Sequence, residues 1–233
     1  MRRGVQRRAC RAGRKPGDLG ICEAKKGAAP RLIETEDDVE AGRLILVGLE
    51  PRFGAVPGPL PLRRRADGFA ALVQAIVGQQ VSTASAAAIW TRLEEAGLVA
   101  ADAARSATDE DLRGCGLSRP KVRYVRALAE AKLDYAALRD APTEEVVATL
   151  VAVPGIGRWT AEIYAKFALG HADVFAAGDL ALQEGAKLLF ELPDRPSERE
   201  MRAMAEAWAP VRAIAARALW AYYHVESIRE GAL

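Results

Sequence analysis

Leu150-Val151-Ala152-Val153-Pro154-Gly155-Ile156-Gly157-Arg158-Trp159-Thr160-Ala161 decides how this 233-residue chain is read. Upstream, Thr143 with Glu144 and Glu145 opens a helix that must end before Pro154, because proline lacks the N–H a helix interior needs. Downstream, Thr160, Ile163, Tyr164 and Phe167 fall on one face of a second helix, and Gly170 stops it. Between the two, Gly155 and Gly157 admit a tight turn with no Cβ in the way, and Ile156 can tuck beneath it as an apolar plug. The first N–H groups of the second helix, around Gly157, Arg158 and Thr160, have no intrahelical partner. With the helix dipole they form an anion site that a nucleic-acid phosphate fits without any reading of sequence. The same Pro-Gly-x-Gly also suits an ordinary turn between packed helices, so its surroundings must decide.

Those surroundings are helical. Phe69, Leu72, Val73, Ile76 and Val77 recur at helical spacing until Gly78. Thr35 or Asp37 caps a first helix over about 37–49, Ser82 caps the helix carrying Ile89 and Leu93, and 109–114 is a short helical piece. Ser118 opens a helix bearing Val122, Val125 and Ala129. Ser197 and Glu200 form a capping box ahead of Met201, Met204, Ala205 and Trp208, and a last helix runs over about 210–226. Segment 51–66 is loop, and no convincing strand or fixed-period repeat is found. The expected fold class is all-α.

The net charge of +2 hides an asymmetry. Residues 1–31 hold ten Lys or Arg against two acids, while the remainder holds 23 basic and 29 acidic residues. We expect 1–33 to be a disordered basic tail, either drawn to a polyanion or a start assigned too far upstream, with the domain proper over 34–233. No apolar run approaches the roughly 18 residues of a spanning helix, so no membrane association is expected. Three scattered cysteines make no disulfide framework and fit a reducing cytoplasm, and two histidines make a zinc site improbable. We expect no metal and no required cofactor.

A second stretch narrows the reading. His171-Ala172-Asp173-Val174-Phe175-Ala176-Ala177-Gly178-Asp179-Leu180 places Asp179 at the start of a predicted helix over 180–190, where a carboxylate complements the positive helix end. Taken alone, Asp179 is an N-cap. With the hairpin 22 residues before it, the pair resembles the helix-hairpin-helix base-excision DNA glycosylases, in which a glycine-proline-rich loop leads into a catalytic aspartate. The family's loop proline is absent here; Ala176-Ala177 stands in its place, followed by Gly178. Asp173 reads as structural, bonding loop backbone.

The resemblance covers about 60–225 and implies two helical lobes with a cleft between them: helices from both ends of the chain in one lobe, the middle helices in the other. It implies base flipping and hydrolysis of an N-glycosidic bond, with Asp179 beside an oxocarbenium-like sugar. Bifunctional members carry a lysine at the position of Trp159, and tryptophan cannot form a Schiff base, so a monofunctional enzyme that leaves an abasic site is implied. Lys166, two turns on, reads as surface charge.

Trp208-x-Pro210-x-Arg212 and the later Trp220 resemble the C-terminal segment of the DNA-3-methyladenine glycosylase II (alkyladenine) branch, in a compact form without an N-terminal β domain. Trp220 lies about 180° around its helix from Val211, which suits a pocket or a second interface. Trp208 reads as core. Trp159 and Trp220 can stack on a cationic methylated base, and Gln79 and Ile163 complete the expected base pocket. The turn Gly78-Gln79-Gln80-Val81-Ser82 resembles a Gly-Gln turn of that branch, which implies Gln80 as the wedge that fills the gap left by a flipped base; Gly116-Leu117-Ser118-Arg119-Pro120-Lys121 also resembles a family segment, which implies Lys121 as a phosphate contact, with a solvated lysine as the equal alternative. The hairpin carbonyls could hold a monovalent cation. The expectation is a cytoplasmic, nucleoid-associated bacterial monomer that removes alkylated purines from double-stranded DNA. Two alternatives stay open: a glycosylase for oxidised, mismatched or deaminated bases, and a non-catalytic DNA-binding hairpin module.

Overall fold

The computed structural model describes residues 32–229. The predicted tail lies outside them apart from its last two residues. Those two belong to the folded body: Ile33 is buried, its N–H donates to Gly170 O at 2.6 Å, and Leu32 makes an isolated β-bridge with His171.

Twelve α-helices follow among the described residues: α1 (Glu36–Leu49), α2 (Phe69–Gly78), α3 (Thr83–Glu95), α4 (Ala101–Ser106), α5 (Asp109–Gly114), α6 (Arg119–Glu130), α7 (Tyr135–Asp140), α8 (Thr143–Val151), α9 (Arg158–Tyr164), α10 (Leu180–Leu189), α11 (Glu198–Ala205) and α12 (Arg212–Arg229). The caps sit where the side chains call for them. Thr35 with Asp38, Thr108 with Asp111 and Ser197 with Glu200 each close a capping box, and Ser82 accepts from Ser85 N–H. Helices α4 and α7 carry no signal in the sequence. Each is six residues long with one buried apolar side chain, Ala104 or Leu138, too little to show a period.

Two lobes result. α1 and α10–α12 pack on one another; α2–α6 pack together with α8 and α9. In the first lobe α10 lies so close to α12 that a Cβ on Gly185 would come 2.4 Å from Leu219 O. Phe53, Phe175, Phe190 and Trp208 form its aromatic centre, with Trp208 edge-on to Phe53 and Phe175 and stacked on Phe190. Trp208 is therefore core, as expected. No described helix is long and apolar enough to cross a membrane.

Candidate active site and nucleic-acid interface

The hairpin joins α8 to α9 as the sequence suggests, but its two glycines have different reasons. Gly155 has φ +92°, and a Cβ there would sit 2.2 Å from Tyr124 Cγ, so backbone and packing both demand glycine. Gly157 has φ −82° and open space where a Cβ would go, so the fold itself does not require it. It is the N-cap of α9, and no side chain caps the helix there. Ile156 is buried beneath the turn. Arg158 is exposed and bonds Glu162 at 2.9 Å and, more weakly, Glu144 at 3.5 Å. The Thr160 side chain is buried, which leaves its backbone N–H as the group able to meet a phosphate. Val153 O and Gly155 O already accept hydrogen bonds, from Ile156 N–H and the Gln79 amide, so each has one lone pair left for any cation.

Asp179 caps α10. Its Oδ1 accepts from Ala181 N–H at 3.0 Å and Leu182 N–H at 3.4 Å. Its Oδ2 accepts from Trp159 Nε1–H at 3.2 Å. The cap and the functional expectation therefore coexist: one oxygen holds the helix, the other faces a half-exposed indole. This contact crosses the lobe boundary, since Trp159 belongs to α9 and Asp179 starts α10. The loop before Asp179 is shaped by hydrogen bonds where a proline could have stiffened it: Ala177 N–H to Phe175 O, Asp179 N–H to Ala176 O, and the Gln183 amide to Ala177 O, all at 3.0 Å.

Further charged contacts clamp the same boundary. Glu162 on α9 is buried and accepts from both Arg158 and Arg202 at 2.9 Å. Asp173 takes a two-pronged bond from Arg212, at 2.6 and 3.0 Å. Asp173 is thus structural, but through a guanidinium and not through loop backbone. These charge-assisted bonds fix how Trp159 and Asp179 meet.

Several expected site residues take other roles. Lys121 is neither a free phosphate contact nor solvated: it is buried, and its Nζ donates to Val77 O at 2.7 Å, closing the C-terminal end of α2. The Gln79 amide donates to Gly155 O at 3.0 Å and braces the hairpin. Its neighbour Gln80 is exposed with φ +55°, so it projects from the turn. Ile163 lines a cavity of about 560 Å³ together with Gln74, Trp90, Thr160, Tyr164 and Phe167. Trp90 and Gln74 escaped sequence reading because each lies off the apolar stripe of its own helix, and only tertiary packing brings the two together. Tyr164 Oη accepts from Gly68 N–H at 2.9 Å, and burial pushes its phenol up to about 12. Trp220 is half-buried; Arg63 lies over its ring at 3.6 Å, and the His224 ring lies nearly parallel at 5.3 Å.

Lys166 corrects the sequence reading most. It is buried, not surface charge, and its Nζ lies 4.5 Å over the Phe167 ring. It sits in a π-helical turn, Ala165–Leu169, that widens the end of α9. Burial first, then the nearby Arg217, push its amine down to about 7; Asp179 pulls the other way. Among the described residues no group of His, Cys, Asp and Glu is placed to hold a metal ion.

A two-lobed, all-helical body with a glycine hairpin and a carboxylate at the lobe boundary defines a helix-hairpin-helix glycosylase architecture. Residues 73–210 match the HhH-GPD superfamily base excision DNA repair protein family, and the chain belongs to that family. It is 30% identical to DNA-3-methyladenine glycosylase 1 of Schizosaccharomyces pombe over 158 residues, 64% of this chain and 69% of that one. It is 28% identical to DNA-3-methyladenine glycosylase 2 of Escherichia coli over 197 residues, 78% and 67% of the two chains. Among solved structures, a DNA-3-methyladenine glycosidase from Bacillus halodurans superposes with a TM-score of 0.73 at 30% identity, covering 84% of this chain and 92% of that one. The S. pombe 3-methyladenine DNA glycosylase in complex with abasic DNA gives 0.64 at 28% identity, with 77% and 94% covered.

Proposed function

We propose that this chain hydrolyses the N-glycosidic bond of alkylated purines in double-stranded DNA, as a monofunctional glycosylase that leaves an abasic site. The hydrogen bond between Trp159 and Asp179 carries the reading. It puts a carboxylate oxygen and an aromatic face in one place, on opposite sides of the lobe boundary. As the base departs, positive charge develops on the sugar, and a fixed carboxylate stabilises it while orienting water. Oδ1 is held by the first amides of α10, so Asp179 does not have to reorganise as that charge appears. The base leaves against Trp159, an indole suited to a flat cation. An N-methylated purine is already a good leaving group, so this reading does not require a proton donor to the base.

DNA is held through the α9 amides at Gly157–Thr160, and Gln80 enters the space the base vacates. The protein acts as a monomer in this reading. The relatives' names support the substrate class, and the fold supports the base-flipping geometry.

The test is to incubate methylated, uracil-containing and 8-oxoguanine duplexes with wild type and Asp179→Asn and to score abasic sites. Release of methylated purines by wild type, reduced at least roughly 10²-fold in the variant, is expected. No release from any duplex would overturn the enzyme reading, preferential release of uracil or 8-oxoguanine would overturn the substrate class, and strand nicking without added base would overturn monofunctionality.

A further inference from the structure

Phe167 is ringed by positive charge. Lys166 Nζ lies 4.5 Å from the centre of its ring, Arg217 Cζ 5.2 Å and Arg65 Cζ 5.6 Å. Three parts of the chain bring them together: the π turn after α9, helix α12 and the loop before α2. Arg64 adds a fourth cation from that loop, its guanidinium packed on Gly170 just past the π turn. Among the described residues none of the four forms an ion pair.

These charges are also short of hydrogen-bond acceptors. Arg217 is 3% exposed; its Nη1 and Nη2 donate to Ala213 O and Leu62 O, while its Nε–H is enclosed without a partner. Arg64 Nη1 is enclosed and unpartnered too. Burial first, then Arg64 and Arg63, push Arg217 down to about 10. The carboxylates that act on Lys166 bond elsewhere, Glu162 to Arg158 and Arg202, Asp179 to Trp159 and the first amides of α10. Buried charges in proteins are paired, or they are given up. Here the missing partner is an anion. Space adjoins the cluster, because Arg65 and Phe167 both line the cavity of about 560 Å³. The donors set its class: guanidinium edges and an ammonium match the several oxygens of a phosphate group.

We propose that the Phe167 end of this cavity binds one phosphate-class oxyanion, on Arg65, Lys166 and Arg217 with Arg64 behind them. The site is distinct from the hairpin amides, which lie at the opposite end of α9. Its occupant is a backbone phosphate of bound DNA or a free ion of the same chemistry.

Inorganic sulfate is the probe, since it has the shape and charge of a phosphate group and no proton that titrates near neutrality. Sodium sulfate replaces sodium chloride at fixed ionic strength and pH 8, and thermal unfolding is followed. Wild type is expected to gain stability along a saturating curve, as one bound ion requires. Arg65 has an exposed side chain, so Arg65→Ala keeps the fold, and its midpoint is expected to weaken at least roughly tenfold. A linear rise shared by both proteins is the effect of sulfate on any fold and overturns the proposal. Isothermal titration in buffers of different ionisation heat reads the proton. With Lys166 held near 7, its amine is about nine-tenths neutral at pH 8, and the anion returns it to the ammonium. Uptake of about 0.9 proton by wild type and none by Lys166→Met is expected. Binding without uptake, or a saturating curve unchanged in Arg65→Ala, puts the ion elsewhere and overturns the proposal. Undamaged duplex then separates the sources: competition with sulfate on wild type but not on Arg65→Ala marks a backbone phosphate, and joint binding marks a free ion. No step requires base release, so failure here and failure of the glycosylase reading are separate results.

Discussion

Trp159 and Asp179, twenty residues apart in the chain, share one hydrogen bond of 3.2 Å across the boundary between the lobes. Trp159→Phe keeps an aromatic face and removes the donor. Its expected effect is a loss in kcat of about tenfold with KM little changed, because a hydrogen bond to a charged group is worth roughly 1.5–3 kcal/mol and this one is partly solvated. Single-turnover base release measures it. A fall in DNA affinity with unchanged chemistry would contradict the positioning role.

The two hairpin glycines should respond differently to a single methyl group. Gly155→Ala collides with Tyr124 and strains the backbone, so a stability loss of about 2–4 kcal/mol is expected in urea unfolding. Gly157→Ala meets only open space in the folded protein, and its stability should stay within about 1 kcal/mol of wild type. Its cost should appear in DNA binding, where the Cβ crowds an approaching phosphate. Filter binding at fixed salt separates the two outcomes.

Lys166 should make stability depend on pH. Its folded pKa, about 7, lies below the 10.5 of an unperturbed lysine. Between these values the unfolded chain binds the extra proton, so stability rises with pH across that window. Below about pH 7 the full penalty of a buried ammonium is present, and toward pH 10.5 it vanishes. Lys166→Met is therefore expected to stabilise the protein by about 2–4 kcal/mol at pH 6, with the gain shrinking steadily up to pH 10. Melting temperatures across that range check it; a gain independent of pH would refute the assignment.

Lys121 offers a contrast. Its ammonium closes the end of α2 on Val77 O and is committed to that carbonyl. Lys121→Met should leave the salt dependence of DNA binding unchanged, whereas loss of a true phosphate contact lowers the slope by about 0.9. It should cost about 1–3 kcal/mol in stability through the carbonyl it leaves behind.

Much of this was legible in the chain. Helix periods, caps and the two glycine-bounded turns are local signals, and they located nearly every long helix, the hairpin and Asp179. The misreadings share a cause. Lys166 is read by residue type and Lys121 and Gln79 by the likeness of their segments to the family's, and polar side chains carry no mark of the partner that tertiary packing supplies. Lys166 shows it best. It lies one turn beyond the buried Glu162, within a π-helical turn that nothing in Ala165-Lys166-Phe167 announces. Arg63 was hidden for a related reason, since an arginine in a loop looks solvated until its aromatic partner is seen.

The amide bond from Gln79 to the hairpin has a consequence for how the protein travels. Gln80, the proposed wedge, is covalently next to Gln79, and the hairpin is the proposed phosphate grip. On that proposal one hydrogen bond ties probe to grip, so that each step from phosphate to phosphate along a duplex would press the probe against a new base pair, making patrol and inspection a single motion.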